Sequence, residues 1–249
     1  MKERVYNVPL LHVVKQQAIA ESLPTIIFLH GFESIKERNV QYAYMLAEKG
    51  FRVILPEAIY HGERALKDEN LPSLFWKIVL QSIHEIQLIK GWFVDQQLTN
   101  VNRIGLAGTS MGAIATLGAM AKYDWVRVAV SLMGDPSYIN FANYQLKLLE
   151  KQGVTLHYTQ EQKDQLMQIL QSIQASTYID TWNARPLLFW HGKQDQVVPY
   201  QSSYDFYMKL RNIYEEQNVA LSYILDEKSA HNVPNQGVVE TVNWFSSHL

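Results

Sequence analysis

Residues 103–123 read RIGLAGTSMGAIATLGAMAKY. The stretch opens as a short apolar run of the kind that forms a buried strand and closes with helical spacing of small and apolar residues. Gly108-Thr109-Ser110-Met111-Gly112 therefore falls on a strand-to-helix turn. Glycine on both sides of a serine has a steric meaning there. A sharp turn brings backbone against backbone, side chains at positions 108 and 112 would collide with it, and glycine tolerates the unusual dihedrals at least cost. The pattern is G-x-S-x-G, which in a strand-turn-helix setting lifts a serine hydroxyl to the top of a sheet. The stretch thus predicts a βα unit and a candidate nucleophile, Ser110.

Working outward, the same alternation recurs. TIIFLH (25–30), FRVILP (51–56), VRVAVSLMG (126–134), PLLFWHG (186–192) and ALSYILD (220–226) are short apolar runs closed by turn residues, and read as strands buried on both faces. Helical patterns lie between and after them, over about 37–49, 72–97, 111–123, 200–216 and 236–248. VYNV and HVVK near the start suggest an antiparallel edge. The fold class is α/β: a mostly parallel central sheet flanked by helices, reading as one domain over residues 1–249. One connection breaks the rhythm. About fifty residues separate the strand ending near Gly134 from the one starting at Pro186, more than one crossover helix needs. FANYQLKLLEKQG and TQEQKDQLMQILQSIQAS have helical spacing, so residues 135–185 predict a helical cap insertion over the carboxyl end of the sheet. Its aromatic residues, Tyr138, Phe141, Tyr144, Tyr158, Tyr178 and Trp182, offer a pocket lining, with Tyr138, Phe141 and Trp182 as the residues expected to meet substrate.

Composition narrows the function. A net charge of −2 without a basic block gives no electrostatic footprint for nucleic acid or an anionic membrane, which leaves a small molecule as the expected partner. With no cysteine, disulfides, thiolate metal sites and a cysteine nucleophile are excluded. The N-terminal MKERVYNVPLLHVVKQQ is interrupted by Pro9, His12 and Lys15 and makes a poor signal-peptide core, so the expected location is cytoplasmic. No cofactor or metal is called for. G-x-x-x-x-G-K-[ST] and H-E-x-x-H are absent, and Gly105, Gly108 and Gly112 do not form G-x-G-x-x-G, which argues against a nucleotide-binding protein or a zinc hydrolase.

A serine hydroxyl is a weak nucleophile until a base takes its proton, so Ser110 requires a histidine and an acid that orients it. In this architecture the order is serine, acid, histidine. Of the histidines after Ser110, His157 lies in the insertion, His191 ends a strand and His248 adjoins the terminus. His231, in the polar loop DEKSAHNVPNQ between the last strand and the last helix, is the expected base. Asp195 in HGKQDQVVP follows the preceding strand and is the expected acid; Asp135, Asp226 and Glu227 are rivals whose ordinary use would be in turns and caps. The amide of Met111, at the start of a helix, is a donor for a developing oxyanion.

FLHGFESIKE, GTSMG, HGKQDQVVP and AHNVP stand in the order and at the strand ends used by the α/β-hydrolase superfamily, and nearly the whole chain resembles it. It looks most like small bacterial serine carboxylesterases of the dienelactone-hydrolase-like and prolyl-oligopeptidase-like branch. The resemblance implies Ser110 as nucleophile, His231 as base, Asp195 as acid, and the amide of Phe32, after His30-Gly31, as a second oxyanion donor. Dienelactone hydrolases proper carry cysteine where this chain has Ser110, so lactone specificity is not inherited. A second His-Gly pair, His61-Gly62, resembles another loop motif of the family and reads as structural. The expected reaction is cleavage of small acyl esters; thioesterases, deacetylases and acyltransferases share the machinery.

Overall fold

The protein is described from a computed structural model, covering residues 1–67, 70–151, 153 and 159–249. His157 and Tyr158 lie outside the described residues. Among those residues the sheet is built from β1 (Lys2–Val5), β2 (Val8–Val13), β3 (Leu23–Leu29), β4 (Arg52–Pro56), β5 (Thr99–Thr109), β6 (Val128–Leu132), β7 (Leu187–Gly192) and β8 (Leu221–Asp226), in the order β1-β2-β4-β3-β5-β6-β7-β8. β2 runs antiparallel to β1 and β4, and the remaining pairs are parallel. The antiparallel edge expected near the start is present, with VYNV spanning its turn: Val5 ends β1, Tyr6 has φ 50° and Val8 begins β2.

The helices are α1 (Val40–Glu48), α2 (Phe75–Asp95), α3 (Met111–Lys122), α4 (Tyr138–Lys151), α5 (Gln160–Ile173), α6 (Gln201–Gln217) and α7 (Asn235–His248). Residues of β3 show why the strands read as unbroken apolar runs. Ile26 and Phe28 pack with Tyr42, Leu46, Val242 and Phe245 of α1 and α7, while Ile27 and Leu29 face the core built with α2, α3 and α6. Both faces are covered, so alternation between apolar and polar residues would put polar groups into a core. No helix among the described residues is long and apolar enough to cross a membrane.

α3 carries the site serine at its head, and its position is fixed at both ends. Its first ten residues, Met111 to Met120, are all buried, and its small residues let neighbours approach closely: a Cβ on Gly118 would lie 2.0 Å from the Tyr138 hydroxyl. That hydroxyl donates to the Ile114 carbonyl at 2.6 Å. At the other end Arg185, just before β7, donates to the carbonyls of Met120, Tyr123 and Val126 at 2.5, 2.8 and 3.1 Å. Two of these carbonyls at and just beyond the end of α3, those of Met120 and Val126, are buried away from water, and one guanidinium satisfies all three. Replacing Arg185 with Leu leaves them without a donor, at about 1–3 kcal/mol for a buried group left unsatisfied. The expected result is a melting temperature lower by roughly 5–10 °C, with kcat per folded molecule preserved. A thermal melt beside an active-site titration measures both.

Candidate active site

The turn after β5 has the geometry that its glycines predict. Ser110 sits at φ 55°, ψ −117°, a conformation that L-residues adopt at a cost of about 1–3 kcal/mol and keep only when their surroundings enforce it. Here they do. The Ser110 amide donates to the Leu132 carbonyl at the end of β6 at 2.8 Å, and the Ser110 carbonyl accepts from Ile114 in α3 at 2.9 Å. A Cβ on Gly108 would lie 2.2 Å from the Gly112 carbonyl, and one on Gly112 would lie 2.3 Å from that of Leu29.

Loops from the ends of β7 and β8 meet above this turn. The β8 loop is shaped by Asp226, whose carboxylate accepts from the amides of Lys228 and Ser229 and from the Ser229 hydroxyl at 2.8–3.3 Å. It then presses onto the end of β7, where a Cβ on Gly192 would stand 2.2 Å from the Ala230 carbonyl. His231 thereby reaches both partners. Its Nδ1–H donates to Asp195 Oδ2 at 2.7 Å, and the Ser110 hydroxyl donates to its Nε2 at 2.9 Å. A carboxylate only accepts, so Asp195 holds the proton on Nδ1 and leaves the Nε2 lone pair for the serine. Asp195 is itself pinned by the amides of Val197 and Val198 at 2.9 and 3.0 Å. Burial pushes its carboxyl upward, but the hydrogen bonds from His191, His231 and Val198 outweigh this and hold it well below the usual carboxylate range.

The rival residues are occupied elsewhere. Asp226 makes the turn just described, and Glu227 pairs with Lys193 at 2.7 Å on the surface. His191 is buried, with Nε2 2.8 Å from the Val198 carbonyl, and His248 packs against Trp244. Asp135 Oδ1 accepts from the Ser137 amide and the Ser202 hydroxyl, both at 2.7 Å, and so ties the start of α4 to the start of α6.

The proposed oxyanion donors flank the serine. Met111 opens α3, where amides have no partner inside the helix. The Gly31-Phe32 turn lies against the elbow: a Cβ on Gly31 would stand 3.5 Å from that of Ser110. Two histidines cross-brace this turn. His30 donates from Nδ1 to the Gly31 carbonyl at 2.8 Å and accepts the Ala58 amide at Nε2, while His61 donates from Nδ1 to Ile59 and accepts the Glu33 amide at Nε2, 3.0 Å away. Behind them Glu57, fully enclosed, accepts from the amide and the ammonium of Lys36. Burial pushes the Glu57 carboxyl up, but the ammonium and the amide of Lys36 hold it at about 2. The structural reading of His61-Gly62 agrees with these contacts, and they show what His61 holds: the residue after Phe32. Glu57 and Lys36 escaped the sequence reading because buried charges cannot be told from surface ones until their partners are known.

A cavity of about 470 Å³ opens beside Ser110. Phe32, Phe75 and Trp76 form one part of its wall, and Phe141, Leu146 and Leu149 of α4 with Leu166 and Met167 of α5 form another. Of the three aromatics expected to meet substrate, Phe141 lines the cavity and the other two are corrections. Tyr138 is fully buried against α3, and Trp182 donates to the Tyr214 hydroxyl at 3.0 Å and packs edge-on against Phe206. Standing at the two ends of the insertion, these residues anchor it to helices of the sheet layer. Tyr144 adds a tie, its hydroxyl donating to the Gln196 carbonyl beside Asp195 at 2.6 Å.

Tyr138→Ala and Trp182→Ala should each lower stability by about 3–5 kcal/mol, as large-to-small core changes do, and Phe141→Ala should instead alter which esters are cleaved best. Melting curves and an ester series distinguish them. Asp135 differs from these in titrating near neutral pH. Burial lifts its carboxyl from 3.8 to about 6 despite the two hydrogen bonds. The folded protein therefore holds a proton that the unfolded chain releases, and the stability this contributes at low pH is lost as pH rises through about 6. Asp135→Asn keeps the acceptor without the charge. Its melting temperature should exceed that of the wild type at pH 8, with the gap closing by pH 5, and kcat/KM should stay within about threefold.

A sequence profile of the prolyl oligopeptidase family matches residues 41–249. The Bacillus subtilis protein named "Putative esterase YitV" is 44% identical over 249 residues, covering 99% of this chain and 98% of its own length. The Escherichia coli protein named "Esterase YjfP" is 28% identical over 244 residues, covering 98% and 96%. Among solved structures, TT1662 from Thermus thermophilus superposes with a TM-score of 0.76 at 18% identity, covering 99% of this chain and 96% of that one. The fold is an α/β-hydrolase fold.

Proposed function

The chain belongs to the prolyl oligopeptidase family, and from that premise we propose that it is a serine carboxylesterase, cleaving small acyl esters through an acyl-enzyme on Ser110. The observation that carries this reading is the run of hydrogen bonds from Ser110 to His231 to Asp195, at 2.9 and 2.7 Å, on a strained turn that faces a cavity. Two relatives bearing esterase names support the choice of ester.

In this reading the Ser110 oxygen attacks the ester carbonyl while His231 Nε2 takes its proton. Asp195 keeps the imidazole in the productive tautomer and stabilises the imidazolium. The carbonyl oxygen, now negative, is met by the amides of Met111 and Phe32, the former helped by the dipole of α3. His231 gives the proton to the leaving alcohol, and a water activated by the same nitrogen then clears the acyl group. Residues 135–185 act as the cap of a single α/β-hydrolase domain, and the aromatic wall of Phe32, Phe75, Trp76 and Phe141 suits acyl groups from acetyl to about hexanoyl. The partner is a small ester, not nucleic acid or a membrane, in keeping with a net charge of −2; the cytoplasm is its proposed location.

Ser110→Ala should reduce kcat by about 10⁶ and Asp195→Asn by about 10⁴, both with the fold intact. A panel of 4-nitrophenyl esters of graded length measures this, and a serine-reactive phosphonate should add one adduct to wild type and none to Ser110→Ala. More than about a tenth of wild-type activity in Ser110→Ala would overturn the nucleophile assignment.

A further inference from the structure

α4 and α5 line the cavity mainly with apolar residues, and one lining position on α5 carries a charge. On α5, Leu166 and Met167 line the cavity and Leu170, a turn further on, is fully buried. Lys163 stands three and four residues before the first two, on the same helical face, and lines the cavity with them. An amphipathic helix ordinarily keeps charge on its outer face, and α5 does so elsewhere. Glu161 accepts from Gln165 and Asp164 from Gln160, all four exposed. Lys163 breaks this pattern. Among the described residues it is the one charged side chain that lines the cavity, and no carboxylate lies within ion-pair distance of its ammonium. The other polar groups of the lining, on Ser73, Ser110, Gln145 and Gln196, are neutral.

We propose that the substrate is an ester carrying an anion, a carboxylate or a phosphate, at the end remote from the scissile bond, and that Lys163 selects it. This rests on the serine-esterase reading of the same cavity. Ser110 stands at the carboxyl end of the central strand β5 and Lys163 on helix α5 of the insertion, so the two groups address different parts of a bound molecule. An anion next to the ester would lie against Phe32, Phe75 and Phe141 and lose hydration without compensation. At the far end it meets the ammonium of Lys163, a half-buried residue on the helical face that also carries Leu166 and Met167, and a long lysine stem lets such a charge stay hydrated beside apolar neighbours. The anion can be carried on the acyl portion, as in a dicarboxylic acid half-ester, or on the alcohol portion, as in a phosphorylated alcohol.

The test compares kcat/KM within two matched pairs: the 4-nitrophenyl half-ester of glutaric acid against 4-nitrophenyl pentanoate, and 3-acetoxypropyl phosphate against butyl acetate. The readout is the ratio of anionic to neutral ester, in which any general loss of activity or folded protein cancels. Wild type should favour the anionic member of at least one pair by about fivefold or more at low salt, with the preference shrinking in molar salt. The pair that responds tells which portion bears the charge. Lys163→Met should bring that ratio to one or below, and Lys163→Arg should keep it. Wild-type ratios of one or below in both pairs, or a preference that survives Lys163→Met, overturn the proposal. If Ser110 takes up a phosphonate while the ratios stay at one, the anion alone falls; if Ser110 takes up none and no ester is cleaved, the esterase reading falls with it.

Discussion

Backbone meets backbone at Gly108, Gly112 and Leu29, too closely for a side chain at either glycine. This contact lets α3 start immediately after β5, beside the end of β3, and it forces Ser110 into a conformation that no relaxed serine keeps. The cost is borne by the layers around it: β6 accepts the Ser110 amide, α3 donates to its carbonyl, Tyr138 packs against the middle of α3 and Arg185 closes its end. The buried helix and the strained turn are thus one structure. A looser α3 would let the serine relax and lose its aim at His231.

Buried carboxylates around the turn divide by how they are solvated. Asp195 and Glu57 are both enclosed, yet hydrogen-bond donors and positive or polarisable neighbours hold each of them well in the charged form. Asp135 has two neutral donors and is lifted toward protonation. Deeper burial and only neutral donors at Asp135, against shallower burial and charged or imidazole partners at Asp195 and Glu57, give opposite outcomes. A carboxylate that stays charged can stabilise an imidazolium, whereas one that prefers its proton is suited to joining two helix starts. The chemistry of these three positions follows from their hydrogen bonds and their depth together.

The insertion shows a similar division among apolar residues. Its aromatics at the two ends, Tyr138 and Trp182, anchor it, and the helical faces between supply Phe141 and the aliphatic wall. Tyr144 fastens it to the loop of Asp195. Bulk and aromaticity alone did not separate an anchor from a wall. What separated them was the presence of a hydroxyl or indole N–H with a partner inside the sheet layer.

Periodicity and glycine placement by themselves determined the strands, the helices that follow them, the extra helix pair and the elbow, because each is set by local sterics and by which faces are buried. Ser110, His231 and Asp195 were legible as candidates because their strand-end positions and chain order constrain where their side chains can point. Tertiary structure alone decided the rest. It closed the hydrogen bonds between loops that lie up to 121 residues apart, assigned Asp226 to a turn and Asp135 to a helix junction, sent Tyr138 and Trp182 into the core, and gave His61 the amide of Glu33 to hold. Those outcomes depend on which partner a polar or aromatic tip finds across the fold, and that pairing is a property of distance in space, which spacing along the chain does not encode.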